Sequence, residues 1–401
     1  MLKLPVYLDH NATTPCDSRV VETMLPYFSD FFGNAASRSH SFGWQAEAAV
    51  DLAREQIAAL IGAGPKEIIF TSGATESVNL ALKGIFDAYA GKGNHIITAV
   101  TEHKAVLDTC RHIEKMGGEV TYLEVDPQGL INLEELESAI RPTTILIALM
   151  YANNELGVIQ HIKEISGIAK AHGIIFFTDA TQALGKIIVD VNKDGIDLMA
   201  FNAHKIYGPK GVGALYVRRK NPRVKLSAQM DGGGHERGMR SGTLNVPGIV
   251  GFGKACELCR LEMENDNKRI SALRDKLENA LLNLEESHVN GSKEYRLPHV
   301  SNISFKCVDG DGLMMGINKN IGVSSGSACT SASLEPSYVL KALGLDDDLA
   351  HSSLRFSLGR YTTGEEIDYA IEQVSKTVTG LREASHLWEK YKEQNLNVRI
   401  N

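Results

Sequence analysis

The chain reads as an α/β protein: a large domain on a mostly parallel seven-stranded sheet, then a smaller α/β C-terminal domain. Three observations predict this. Between residues 67 and 217 of the 401, seven short runs rich in Val, Ile, Leu and Phe recur, apolar throughout rather than alternating, as in strands buried on both faces. Longer stretches with helical spacing lie between several of them. The chain also exceeds what one compact core usually organises, so two domains are expected.

The strand runs are 67–71, 95–100, 119–124, 144–150, 174–179, 197–202 and 213–217, with helical patterns at 76–90, 105–115 and 162–171. Ligands of such sheets gather at the carboxyl ends of strands. From 247 to 284 the pattern is helical and charged, and reads as a long connection into the second domain. That domain offers strands near 301–305 and 354–358 and a helix near 365–379. The expected division is 1–15 as an N-terminal segment packing with the small domain, 16–253 as the large domain and 254–401 as the small one. Within the small domain, 322–336 (GVSSGSACTSASLEP) is made of small and polar residues that can bury little, so a mobile loop is expected. The end, 388–401, is polar enough to be expected as a loosely held tail.

A formal net charge of −7 gives no electrostatic case for binding nucleic acid or an anionic membrane. The start, MLKLPV, lacks the basic head and long apolar stretch of a signal peptide. Runs such as 145–150 are too short to span a bilayer, so a cytoplasmic protein is expected. Six irregularly spaced cysteines do not suggest a disulfide framework, which leaves single thiols as candidate nucleophiles. Cys256 and Cys259 form a CxxC inside a helical stretch, without the second pair that a closed zinc site needs, and no metal is expected.

Five places could carry chemistry. Lys205 follows a buried strand in NAHKIYGPKG (202–211), flanked by His204. Partial burial lowers a lysine's pKa towards the neutral amine that a Schiff base requires; a lysine closing a strand end near solvent has the same pattern. Asp179 follows the apolar run 174–177. It could keep a pyridine nitrogen protonated, as pyridoxal phosphate needs to act as an electron sink, with Gln182 on the ring hydroxyl; it could equally cap a helix. In FTSGATE (70–76) a strand passes to a helix through Gly73, giving an anion site at the helix N-terminus near Ala74 and Thr75, or plain capping. The stretch 232–243 adds glycines and cations that could complete a phosphate cup, or is an ordinary long loop. His103 starts a helix at the same sheet edge, where it could stack on a flat ring and exchange protons, or be structural. Asn154 would face this rim, and Arg355 could clamp a carboxylate with two parallel hydrogen bonds. Cys329 is the fifth. With about eight residues on either side at roughly 3.3–3.6 Å each, its thiol could sweep about 25 Å, which suits sulfur collected in one place and delivered in another; an exposed cysteine without a task would look the same.

Taken together these segments resemble the cysteine desulfurases of iron–sulfur cluster assembly, in the class-V, fold-type I group of pyridoxal-phosphate enzymes. The likeness runs from VYLDHNATT (6–14) to about Trp388. Its most specific parts are His204-Lys205 with Tyr207-Gly-Pro, DATQ (179–182), TEH (101–103), RGMRSGT (237–243) and SSGSACTSAS (324–333). The long loop around Cys329 resembles the housekeeping branch. The resemblance implies a homodimer in which Lys205 bonds the cofactor and later moves protons. It puts His103 on the ring, Asp179 on the pyridine nitrogen and Gln182 on the ring oxygen. Ala74, Thr75, Asn202 and His204 hold the phosphate, joined by Thr243 of the other subunit. Asn154, beside the cofactor, and Arg355 take the carboxylate of L-cysteine. Cys329 takes the sulfur as a persulfide, L-alanine leaves, and an iron–sulfur scaffold protein and other acceptors, including those for tRNA thiolation, receive the sulfur. The tail is implied as a scaffold contact.

Two positions depart from the family's pattern. Asn202 stands where serine is usual, though its amide can still donate to a phosphate. Ala35 replaces proline in Gly33-Asn34-Ala35, which touches no assigned role. Selenocysteine lyase and aminotransferase chemistry are the neighbouring readings, and neither needs a sulfur-carrying Cys329. A non-catalytic partner-binding protein is the reading from another class; Lys205, Asp179, His103 and Cys329, all present, argue against it.

Overall fold

A computed structural model of the chain describes residues 2–326 and 335–400. The N-terminal region holds β1 (Val6–Tyr7), α1 (Ser18–Met24), α2 (Pro26–Ser29) and α3 (Ser41–Ile61). The large sheet and its helices follow: β2 (Ile68–Thr71), α4 (Ala74–Ala88), β3 (His95–Ala99), α5 (Lys104–Lys115), β4 (Glu119–Leu123), α6 (Leu133–Ser138), β5 (Thr144–Ala148), α7 (Ile162–Ala171), β6 (Ile175–Asp179), β7 (Leu198–Asn202) and β8 (Gly213–Val217). After α8 (Val246–Leu282) come β9 (Ser287–Val289), β10 (Val300–Phe305), α9 (Gly310–Ile317), β11 (Ile321–Gly322), β12 (Ser324–Ser325), α10 (Tyr338–Ala342), α11 (Asp347–His351), β13 (Ser353–Ser357), α12 (Gly364–Glu383) and α13 (His386–Ile400).

The large sheet has seven strands in the order β2-β8-β7-β6-β5-β3-β4. All neighbours are parallel except β8, which runs antiparallel to β2 and β7. Strand order reverses between β3 and β5, so their carboxyl ends open the crevice where ligands of such sheets bind. The apolar runs explain themselves here. Along β6, Phe176 packs into one core cluster while Ile175 and Phe177 pack into the other, one on each face. Edge strand β4 departs from the expected two-sided burial: Glu119 is exposed and Val120 to Tyr122 are only half-buried, because no strand lies beyond it.

Helix α3, absent from the helical patterns singled out in the sequence, is delimited by His40, whose ring accepts from Gly43 N, and by left-handed Gly62. The 37 residues of α8 span about 55 Å. Its first half, through Cys259, packs in the large core, and its second half, from Ile270, packs with the small sheet. Cys256 and Cys259 are buried in the first half. The small sheet has the order β12-β13-β10-β9. Val6 and Leu8 belong to its core, and β1 pairs with β11. The C-terminal stretch corrects the expectation of a loose tail: it is helix α13, with Trp388 only 8% exposed, stacked on Tyr391 and covered by the Arg382 guanidinium. Arg382 is itself tied to three backbone carbonyls, which gives an otherwise polar segment a fixed anchor.

Candidate active site

The carboxyl ends of β2, β5, β6 and β7 and the start of α5 enclose a cavity of about 450 Å³. Lys205 reaches it three residues after β7, and its ammonium donates to the backbone carbonyls of Asn11 and of Ala12 (2.7 Å). The chain then turns sharply through Tyr207, at φ 65°, a left-handed conformation strained for a bulky residue. Tyr207 N donates to Thr14 Oγ1 at 2.8 Å, which helps hold that turn. Asp179, the last residue of β6, is 6% exposed; one carboxylate oxygen accepts from Thr181 N at 2.9 Å. Gln182 donates to the Asn11 carbonyl at 3.0 Å. His103 caps α5, its Nδ1 accepting from Ala105 N at 3.1 Å, so the neutral ring carries its proton on Nε2.

Helix α4 begins at Gly73, which caps it without a side-chain hydrogen bond. Its first amides and dipole are therefore offered to the cavity beside Ala74 and Thr75. His204 lies alongside, its Nδ1 3.1 Å from Thr13 Oγ1. Burial, then the charges of Lys205 and Lys210, push its pKa down to about 4, so it is a neutral hydrogen-bonding group at physiological pH.

Three cavity-lining residues carry buried side-chain oxygens with no protein partner: Asn154 Oδ1, Thr181 Oγ1 and Asn202 Oδ1. Each such atom costs about 1–3 kcal/mol if left unsatisfied, so the cavity is built for a polar ligand. Asn202 Nδ2 makes no hydrogen bond among the described residues either, leaving a donor for a phosphate. A phosphate cradle, a buried carboxylate and a lysine in one cavity fit pyridoxal phosphate.

Nine of the expected site residues thus meet here: Ala74, Thr75, His103, Asn154, Asp179, Gln182, Asn202, His204 and Lys205. Arg355 does not line the cavity. Its two amino groups are engaged by Asp9, Ser324 and the Asn154 carbonyl, so it presents no free fork. Thr243 is exposed on the protein surface. Cys329 lies outside the described residues. The two ends of its segment are tied together, with Gly326 N donating to Ser353 O and Ser337 N to Gly326 O.

Two residues that sequence reasoning passed over are central. Asn11 accepts from Lys205 and Gln182 through its carbonyl, receives His299 Nε2 at Oδ1 (2.8 Å), and donates to the Asn154 carbonyl (2.9 Å). Only its place beside Asp9 in the 6–14 run hinted at this. Glu102 is buried next to His103. Its Oε1 accepts from Met150 N at 2.6 Å and its Oε2 has no partner. Burial, and then the nearby Asp179, push its pKa well above the usual carboxylate range.

The sequence profile of the class-V aminotransferases matches residues 6–370. The cysteine desulfurase IscS of Photorhabdus laumondii is 59% identical over 394 residues, covering 98% of this chain and 97% of that protein. The IscS of Escherichia coli K12 is likewise 59% identical with the same coverage. Among solved structures, a NifS-like protein superposes with a TM-score of 0.88 at 38% identity, covering 94% of this chain and all of the other. SspA, solved in complex with cysteine, gives 0.79 at 39% identity over 89% of this chain and all of its own. With this geometry and this likeness over nearly its whole length, the chain belongs to the class-V aminotransferases and, within them, to the cysteine desulfurases.

Proposed function

We propose that the protein removes sulfur from L-cysteine with pyridoxal phosphate, releasing L-alanine and keeping the sulfur as a persulfide on Cys329. The observation that carries this reading is the convergence of Lys205, Asp179, Gln182 and His103 on one cavity whose phosphate end is the start of α4, where Gly73 puts no side chain over the first amides. When bound, the cofactor supplies an electron sink for the charge released at the substrate's α carbon.

The chain's own residues do the rest. Lys205 holds the cofactor and, once displaced, moves a proton at Nζ. Asp179 holds a proton on the ring nitrogen, and Gln182 orients the ring oxygen. The α4 amides, Thr75, Asn202 and the neutral His204 bind the phosphate, with Thr243 of a second copy. His103, its Nδ1 tied to Ala105, exchanges protons at Nε2. Asn154 and Arg355 orient the substrate carboxylate. Cys329 accepts the sulfur as a thiolate and passes it to an iron–sulfur scaffold protein and other acceptors in the cytoplasm, with α13 as the scaffold contact. Among the described residues no helix is long and apolar enough to cross a membrane.

The test is direct. Incubated with L-cysteine and a thiol reductant, the purified protein should release alanine, and incubated with L-cysteine alone it should carry one extra sulfur on Cys329 by mass spectrometry. Lys205→Ala should lower alanine release by at least about 10³-fold while remaining folded. Alanine production by Lys205→Ala at the parent rate would refute the assignment.

A further inference from the structure

We infer that Asp9 is an internal carboxylate that occupies Arg355 until the substrate's carboxylate replaces it, and that Asp9 thereby sets the affinity for substrate. The inference rests on the reading of Arg355 as the residue that takes that carboxylate.

Arg355 sits mid-strand in β13, between Asn302 of β10 and Ser324 of β12, and its side chain is 5% exposed. Nη2 donates to Asp9 Oδ1 at 2.7 Å and to Ser324 Oγ at 2.7 Å, and Nη1 donates to the Asn154 carbonyl at 2.9 Å. Nε is buried and has no partner. The guanidinium therefore lies directly behind Asn154, a cavity residue, with its forked edge half-used. Asp9 satisfies Nη2 through one oxygen and leaves the adjacent Nε–H orphaned. A carboxylate approaching side-on with both oxygens satisfies Nε and Nη2 together, the stronger two-pronged arrangement.

Asp9 is placed to leave. Its side chain is 19% exposed, so water can receive it, whereas its backbone is fixed by a bridge to Ser357 and by the Tyr7 hydroxyl on its carbonyl. The exchange needs only a side-chain rotation, and it trades one negative charge for another on the same cation. Ser324 Oγ donates to Asp9 Oδ1 at 2.9 Å and strengthens Asp9's hold. A site whose competent form is only partly populated binds with an affinity reduced by that fraction.

The experiment is calorimetry of the holoenzyme with 3-mercaptopropionate, which is cysteine without the amino group and cannot bond covalently to the cofactor through nitrogen. The neutral 3-mercaptopropionamide is the control. Asp9→Asn keeps the shape and one acceptor but removes the charge; it should tighten 3-mercaptopropionate by about five- to tenfold and leave the amide unchanged. Ser324→Ala, on another strand, should tighten it about twofold and carries the test if Asp9→Asn is poorly folded. Unchanged or weaker binding in the folded variants overturns the inference, because a carboxylate that merely orients Arg355 gives that result. Arg355→Ala should abolish the difference between acid and amide. If it does not, Arg355 does not take the carboxylate at all, and the reading of Arg355 falls together with the inference built on it.

Discussion

His10, His204 and His299 are held neutral by their surroundings. Burial, and then the charge of Lys186, lowers His10 to about 4; burial and Lys205 lower His204 to about 4; burial drives His299 well below its ordinary value of 6.5. An unfolded chain takes up protons at these positions as pH falls below 6.5, while the folded chain does not. Stability is therefore complete above about pH 6.5 and is lost as pH falls towards 4. For His10, which is 5% exposed, the full loss is about 3 kcal/mol. Urea denaturation of the cofactor-free protein between pH 7.5 and 4.5 should show this slope, and His10→Gln should flatten it; an unchanged slope would remove His10 from the account. His299 has a second task, since its Nε2–H orients Asn11, the residue that links Lys205, Gln182 and Asn154.

At the scale of elements, the phosphate end depends on how closely β8 approaches the start of α4. A side chain at Gly213 would bring its Cβ within 2.7 Å of Gly73 Cα, 2.8 Å of Gly73 C and 2.9 Å of Phe201 O. All three are backbone atoms that cannot swing aside. Overpacking of this kind costs about 1–3 kcal/mol, and here relief comes from displacing Gly73 and the amides it leads. Gly213→Ala should therefore weaken retention of pyridoxal phosphate by about tenfold in an absorbance titration, with a lower melting temperature. Full cofactor affinity in that variant would mean that the amides of α4 do not hold the phosphate. The N-terminal segment is the other decisive element. Through Asp9 and Asn11 it touches Arg355 and Ser357 of the small sheet and Lys205, Gln182 and Asn154 in the loops that follow strands of the large one, so two bodies share one strut at the site.

For the whole molecule, the exposed apolar surface is concentrated near the N-terminus. Leu25 (57%), Phe28 (65%), Phe32 (65%), Phe42 (48%) and Trp44 (55%) lie within one short stretch of α1 to α3. An aromatic surface of this density marks a protein–protein contact, and under the proposed function, which gives Thr243 to a neighbouring site, its partner is a second copy of the chain. Phe28→Glu with Phe32→Glu should give monomers in sedimentation velocity. Neither residue lines the cavity, so the accompanying loss of alanine release and of cofactor would come from the missing partner. Monomers of full activity would show that each chain completes its own site.

The strands and the nature of the site were legible in the sequence because both are local. A strand buried on both faces must be apolar at every position, as Ile175 to Phe177 are, and a lysine or carboxylate at a strand end leaves its mark within a few residues, as Lys205 and Asp179 do. The apolar anchors of α13 were visible too, but the burial of Trp388 was not, since it needs Arg382 and Tyr391 to close over it. Which groups are already spoken for depends on contacts between distant segments. Asn11 and Glu102 look ordinary in sequence because their importance lies in partners more than forty residues away. Arg355 looked like a free fork because nothing in its own strand discloses Asp9, 346 positions earlier. Local pattern was enough for the fold class, the pyridoxal-phosphate chemistry and nine residues of the cavity wall. Hydrogen bonding between distant segments decided which of those side chains are free to meet a ligand, because local pattern records burial and backbone conformation but not who shares a buried donor.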